Sequence, residues 1–300
     1  MANWFCRLVL FVMTLSWAGL SLAGPVINIV LSESGGIYQQ AADSFARALA
    51  RNNRDWTVRT LNVDRYSANG GDLTVAIGTR ALEAALDASG NKPVLSLLVP
   101  QVTYERLAAG SRQASALYLD QPLTRQLQLM EQAIPGLKSA GVPLGPASRR
   151  ILAGLQRASR DSGVAVNSAV VEKGSELLSV LTDLAEDSQA FLLLPDPVVA
   201  QRGVLQNFFL HTYRLRKPVL AYSAPLVQSG ALLGLYATPE QLGEEAGNWV
   251  GESWTRGEFR LGMPRHPKSF TIGVNRTVAR SLDISLPTEA QLTSQLEALQ

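Results

Sequence analysis

The sequence is nearly without the residues that build metal centres and disulfides. Its one cysteine, Cys6, falls within the first 23 residues, and its only two histidines, His211 and His266, lie far apart. That poverty excludes a disulfide framework, a thiol nucleophile beyond residue 6 and a His/Cys metal site of the usual composition. Net charge is also lacking: 27 Lys and Arg against 25 Asp and Glu leave +2 over 300 residues. Such a balance provides no long-range attraction for nucleic acid. The basic runs Arg214-Leu-Arg-Lys217 and Arg149-Arg150 are short enough to be solvated helix ends. No phosphate-binding Gly-x4-Gly-Lys-Ser/Thr follows the first apolar run, and no Gly-x-Gly-x-x-Gly occupies its turn. A serine hydrolase needs a partner histidine. His211 sits in the apolar helix pattern FFLHTYRL, where a structural role is expected, and His266 lies in Met263-Pro-Arg-His-Pro267, where exposure is expected. With no acid/base pair in view, the reading is of a protein that is not an enzyme and uses no cofactor or metal.

What is present begins with an apolar leader. Met1 to Ala23 carries Arg7, then the 16-residue run LVLFVMTLSWAGLSLA, then a small-x-small end at Ser21-Leu-Ala23. This is the pattern of a cleavable secretory signal, and 16 residues fall short of the roughly 20 that span a bilayer. Residues 1–23 are therefore expected to be removed on export, with no membrane span in the remainder.

Beyond the leader, runs rich in Val, Ile and Leu alternate with segments of helical period. Strands are expected at Val26–Leu31, Thr57–Leu61, Leu73–Ile77, Val94–Val99, Ser115–Tyr118, Ser139–Pro143, Ala165–Val171, Ala190–Leu194, Pro218–Tyr222 and Leu232–Tyr236. Helices are expected at Tyr38–Ala50, Arg80–Ala88, Leu123–Ala133, Ser148–Asp161, Ser175–Ala185, Val198–Tyr213 and Pro239–Thr255. Apolar runs with crossover helices indicate buried parallel strands, hence α/β layers. The length favours two units, divided near Leu119-Asp-Gln-Pro122, where proline breaks the pattern.

Small or polar residues recur at the strands' carboxyl ends: Ser32-Glu-Ser-Gly-Gly36, Gly78-Thr79, Pro100-Gln101, Asp120-Gln121, Gly145-Pro146, Pro195-Asp196 and Ser223. Ligands of open parallel sheets bind beyond such ends, so function is expected between two facing lobes. Asp196, ahead of Pro197, fits a helix start equally well.

The second half then resembles a family of periplasmic ABC-transporter substrate-binding proteins. The likeness rests on the stretch from Gln121-Pro-Leu-Thr-Arg to Lys138, Phe191-Leu-Leu-Leu-Pro-Asp196, Lys217-Pro-Val-Leu-Ala-Tyr-Ser223, Val227-Gln-Ser-Gly-Ala-Leu232, Glu240-Gln-Leu-Gly-Glu-Glu-Ala-Gly247 and the tail Phe270 to Ile284. It spans most of 117–287, while 26–100 matches in strand–helix rhythm only. The resemblance implies a type I periplasmic-binding fold: two Rossmann-like αβα lobes with parallel sheets, joined by a three-strand hinge. Lobe one would comprise 24–119 plus 236–264, and lobe two 120–235 plus 265–300. It further implies periplasmic location, a small organic solute held by clamshell closure, and a permease of the inner membrane as partner.

Ligand-binding positions carried over are Ser34, Gly35, Thr79, Asp120, Gln121, Asp196, Tyr222, Ser223 and Tyr236. Ser34, Gly35 and Thr79 would donate hydrogen bonds or else shape turns and cap helices. Asp120 and Gln121 would touch solute or shape the hinge, while Tyr222 and Tyr236 would stack on a ring or pack between lobes. Two departures bear on the solute: Leu144-Gly-Pro146 stands where the family commonly has Tyr-Asn-Pro, and Tyr222-Ser-Ala224 where it commonly has Ser followed by an acid. A less polar solute, or an accessory or sensor protein with a degenerate cleft, is the alternative these departures raise.

Overall fold

In the structure, a computed structural model, residues 24–52, 55–67 and 70–299 are described, and the leader lies outside them. The chain begins with β1 (Val26–Leu31), α1 (Gly36–Ala50), β2 (Thr57–Asn62), β3 (Leu73–Ile77), α2 (Thr79–Ala88), β4 (Val94–Leu97), α3 (Gln101–Leu107) and β5 (Ala114–Ala116). The five strands form one parallel sheet in the order β2-β1-β3-β4-β5. β1 is apolar on both faces apart from the buried Asn28, because helices cover both. Its Ile27, Ile29 and Leu31 pack with Phe45 and Leu49 of α1, whereas Val30 packs with Leu82 of α2 and Tyr104 of α3.

The chain then crosses to a second sheet. α4 (Leu123–Ala133), β6 (Ser139–Leu144), α5 (Leu152–Ser162), β7 (Ala165–Val170), α6 (Leu177–Glu186), β8 (Ala190–Leu192), α7 (Arg202–Arg214), β9 (Val219–Ala221), α8 (Ala224–Gln228) and β10 (Leu233–Tyr236) follow. α9 (Pro239–Ser253) returns to the first sheet, as does the hairpin β11 (Trp254–Thr255) and β12 (Glu258–Phe259). β13 (Thr271–Val274), α10 (Arg276–Ser281) and α11 (Glu289–Glu297) end in the second, whose order is β13-β10-β9-β8-β6-β7. One core of that sheet holds Met130, Leu192 and Leu235, and the other Phe191, Phe208 and Leu226. The result is two αβα lobes, as expected.

The structure departs from the sequence reading in several places. β13 runs antiparallel to β10. The chain leaves β10 at the end facing the other lobe and comes back at that same end, so its next strand must run the opposite way. β4 stops at Leu97 because Leu98 turns to φ 55, outside the strand region. Helices α3 and α8 were not expected from the sequence; each is short and begins at Pro100 or Ser223 rather than with a long periodic pattern. The helix expected over Pro239–Thr255 ends at Ser253, and Arg256-Gly257, at φ 55 and 88, make the tight turn of a hairpin. That hairpin packs Trp254 and Phe259 against Trp56.

α9 fixes the return to lobe one. It lies so close on α1 that a β-carbon at Gly243 or Gly247 would fall 2.2 Å from the Ala41 carbonyl oxygen or 2.5 Å from that of Phe45. Only glycine permits that approach.

Candidate functional site

The strand ends of the two lobes meet beside the segments that join them. β1 is followed by Ser32, whose buried Oγ accepts a hydrogen bond from the Ala81 N–H at 3.0 Å. Gly78, the residue before α2, has no side chain to cap that helix, and Ser32 supplies the oxygen from the neighbouring strand. Ser34 is exposed at the rim of lobe one, where its Oγ accepts from Asn62 Nδ2 at 3.0 Å. Gly35, at φ 82, opens α1, and Thr79 is the half-exposed first residue of α2.

Asp120 and Gln121 occupy the first crossing. The Gln101 N–H at the start of α3 donates to Asp120 Oδ2 at 2.6 Å, and His266 on the third crossing donates Nδ1–H to the Asp120 carbonyl at 2.8 Å. Gln121 is 2% exposed; its Nε2 donates to the Ser269 carbonyl at 3.1 Å and its Oε1 accepts from Arg125 at 2.6 Å. Gln121 is thus committed to tying the first crossing to the third. His266 is not exposed as its proline-rich setting suggests, because Tyr118 packs edge-on against its ring at 5.1 Å. Burial pushes its pKa down.

In lobe two, Asp196 faces inward. Its carboxylate accepts from the N–H groups of Gly145, Val198 and Val199 at 2.8, 2.7 and 2.9 Å and from the Ser148 hydroxyl. These bonds pin the loop after β6 to the turn after β8, and they leave Asp196 2% exposed. Helix capping, the alternative open from sequence, describes part of this arrangement. Tyr222 is half-buried beyond β9; burial, with Asp120 and Asp196 nearby, raises its hydroxyl to about 12, so it stays a neutral donor. Ser223 precedes α8 and makes no side-chain cap. Tyr236 leans back over its own sheet, with its ring near Gly234 and its hydroxyl near Gly273.

The structure therefore brings Asp120, Tyr222 and Asp196 into one neighbourhood across the interlobe junction. Gln121 stands behind it in the hinge, and Tyr236 is turned away. At the junction Gln101, Asp120, Ser148, Leu194 and Pro195 leave a space of only about 10 Å³. Beside it a larger cavity of about 520 Å³ opens between α3 and α5, with Gln101, Glu105 and His266 on one wall and Thr124, Arg150 and Arg157 on the other. Small-molecule sites commonly have volumes of about 300–1,000 Å³. Of these lining residues only Gln101 belongs to a strand end visible in the sequence. The others come largely from helix faces, and the one signal for them was the stripe Arg150, Gly154, Arg157, Asp161 at helical spacing, which runs from the turn before α5 into that helix. Among the described residues no group of three His, Cys, Asp or Glu could hold a metal ion, and no helix is long and apolar enough to cross a membrane.

Comparison with known proteins agrees with this architecture. The fold matches an ABC domain in complex with L-Trp from Streptococcus pneumoniae at TM-score 0.63 and 16% identity, covering 91% of this chain and 98% of that one. It matches a ligand-free, open substrate-binding protein with adhesive properties from Clostridium difficile at TM-score 0.67 and 18% identity, covering 88% and 96%. A periplasmic ribose ABC transporter protein from Conexibacter woesei matches at TM-score 0.53 and 11% identity, covering 89% and 98%. No curated protein matches the sequence. Residues 38–295 match the sequence family described as ABC transporter substrate binding protein, and that span shows that the chain belongs to this family.

Proposed function

We propose that the protein is the periplasmic solute-binding component of an ABC uptake system, holding a small organic molecule between its lobes and performing no catalysis. The observation that carries this reading is the cavity of about 520 Å³ walled by both lobes beside their shared hinge. A solute there contacts residues that belong to different rigid bodies, so binding favours the state in which the bodies are close. The proposed division is 24–119 plus 236–264 for lobe one and 120–235 plus 265–300 for lobe two. Ser34, Gly35, Thr79, Tyr222 and Ser223 are proposed as cleft-facing groups, Asp120 as a group of the cleft floor, and Gln121, Asp196 and Tyr236 as supports. Export of the chain with loss of residues 1–23 and docking of the closed form on a permease complete the proposal.

The character of the solute follows from what the walls offer. Asp196 already holds four donors, so lobe two presents no free carboxylate there for an ammonium group. Arg150 and Arg157 make no ion pair among the described residues and line the cavity. Glu105 and Asp161 line it as well, so a neutral or zwitterionic solute suits these walls better than a simple cation. Native mass spectrometry of freshly purified protein, followed by thermal-shift screening of metabolites, tests the reading. A bound small mass and an upward shift are expected, and a panel of broad chemistry that gives neither stabilisation nor compaction contradicts it.

A second reading is a non-transport accessory or sensor of the same fold with a degenerate cleft. The nearly filled junction, only about 10 Å³, favours it. Capture of an envelope partner in the absence of any solute response would select it over solute delivery.

A further inference from the structure

Asp120 is enclosed where the two lobes touch. The residue is partly buried, and protein from both lobes crowds its carboxyl group. From lobe one, α3 brings the Gln101 N–H and the Glu105 carboxylate, and the crossing segments bring Tyr118 and His266. From lobe two come Tyr222 and the closing wall of Ser148, Leu194 and Pro195. No lysine or arginine pairs with it among the described residues' ion pairs. Arg125 at the start of α4 directs its guanidinium to Gln121 and the Pro267 carbonyl, and the His266 Nδ1–H goes to the Asp120 backbone, not its carboxylate.

We propose that Asp120 takes up a proton as the lobes close, so that acidification favours the closed cleft and retention of solute. The inference rests on the reading of the lobes as a clamshell. An ionised carboxylate that loses part of its water without gaining a countercharge is destabilised relative to its neutral form. Opening removes Ser148, Leu194, Pro195 and Tyr222 from around it and readmits water. Burial accordingly raises the Asp120 carboxyl from 3.8 to about 6 with the lobes in contact as they are here, against the lowering effect of the Gln101 N–H and its own N–H, with Glu105 adding to the rise.

The sign follows from linkage. The closed form has the higher pKa and binds more protons between the ordinary value and about 6. The closed-to-open ratio therefore rises as pH falls through about 6 and levels off below the ordinary value. Each unit of difference is tenfold, so the full effect reaches up to about a hundredfold. His266 acts in the other direction, since burial disfavours its protonated form.

Small-angle scattering of the full chain from pH 4.5 to 8, with no solute added, tests this directly. A smaller radius of gyration is expected at pH 5 than at pH 7.5, with D120N compact at both and H266Q still responsive. A radius independent of pH, or a response that survives in D120N and vanishes in H266Q, overturns the proposal. Carbon-13 titration of the Asp120 carboxyl in the wild-type chain gives a second readout that does not depend on the variant folding. A midpoint near 6 supports the inference, and an ordinary carboxylate midpoint overturns it. Because neither measurement uses a solute, their failure is separate from failure of the solute screen.

Discussion

Asp196 accepts from four donors, three of them backbone N–H groups that have no other acceptor in the turn, so its charge is structural before it is anything else. Replacing one oxygen with an NH2 in D196N sets a donor against donors. The loss is expected to be about 2–3 kcal/mol in urea unfolding, with S148A costing about 1 kcal/mol because one bond of the set is removed. Ser32 presents a parallel case: S32A leaves the Ala81 N–H of α2 buried and uncapped, at a cost of about 1 kcal/mol. Both residues lie in stretches that sequence alone marked as strand ends. Which of them faces the cleft was not legible, because serine and aspartate at a strand end serve a solute or a helix terminus by the same hydrogen bonds.

At the scale of elements, the contact of α9 on α1 carries the second passage of the chain into lobe one. G243A and G247A each push a methyl into backbone carbonyls that cannot swing aside, and each is expected to lower stability by about 1–3 kcal/mol. G203A at the start of α7 is the contrast, since a β-carbon there meets nothing within 4 Å. It is expected to be neutral or to stabilise by up to about 1 kcal/mol, and chemical denaturation of the three variants side by side checks the difference. The elements themselves were largely legible. α4 falls on Leu123–Ala133 as the periodicity indicates, and β1 and β3 on their apolar runs. The hairpin of β11 and β12 was not, because two-residue strands around Arg256-Gly257 leave no period to detect.

For the whole molecule, the hinge couples shape to protonation. The folded-state carboxyl of Asp120 lies above its ordinary value, so the folded protein binds the proton more tightly than the unfolded chain. The resulting stability is present at low pH and lost as pH rises through about 6. D120N is therefore expected to raise the melting temperature most at pH 7.5, by less at pH 5, and to leave it nearly unchanged only below the ordinary carboxylate value. The gain is on the order of 1–2 kcal/mol, less than the full shift implies because solvent reaches part of the residue. Calorimetry at the two pH values checks both sign and size. A solute present at 100 times its Kd is expected to stabilise the wild type by about 2.7 kcal/mol.

The sequence by itself determined the α/β class, the two-lobe plan and the absence of thiol chemistry beyond residue 6, since these follow from composition and from local apolar period. It also marked the strand ends at which a site had to lie. Only the tertiary structure decided which side chains were already committed. Asp196 and Gln121 are consumed by hydrogen bonds that reach partners 48 and 148 residues away as well as near neighbours, and Tyr236 lies down on glycines of its own sheet. The walls of the larger cavity come from helices on opposite lobes, and no local pattern records which helix of one lobe will face which helix of the other. Asp120 shows the distinction most directly: its position at the divide was readable, whereas its enclosure and its proton affinity arise only when two distant parts of the chain close around it.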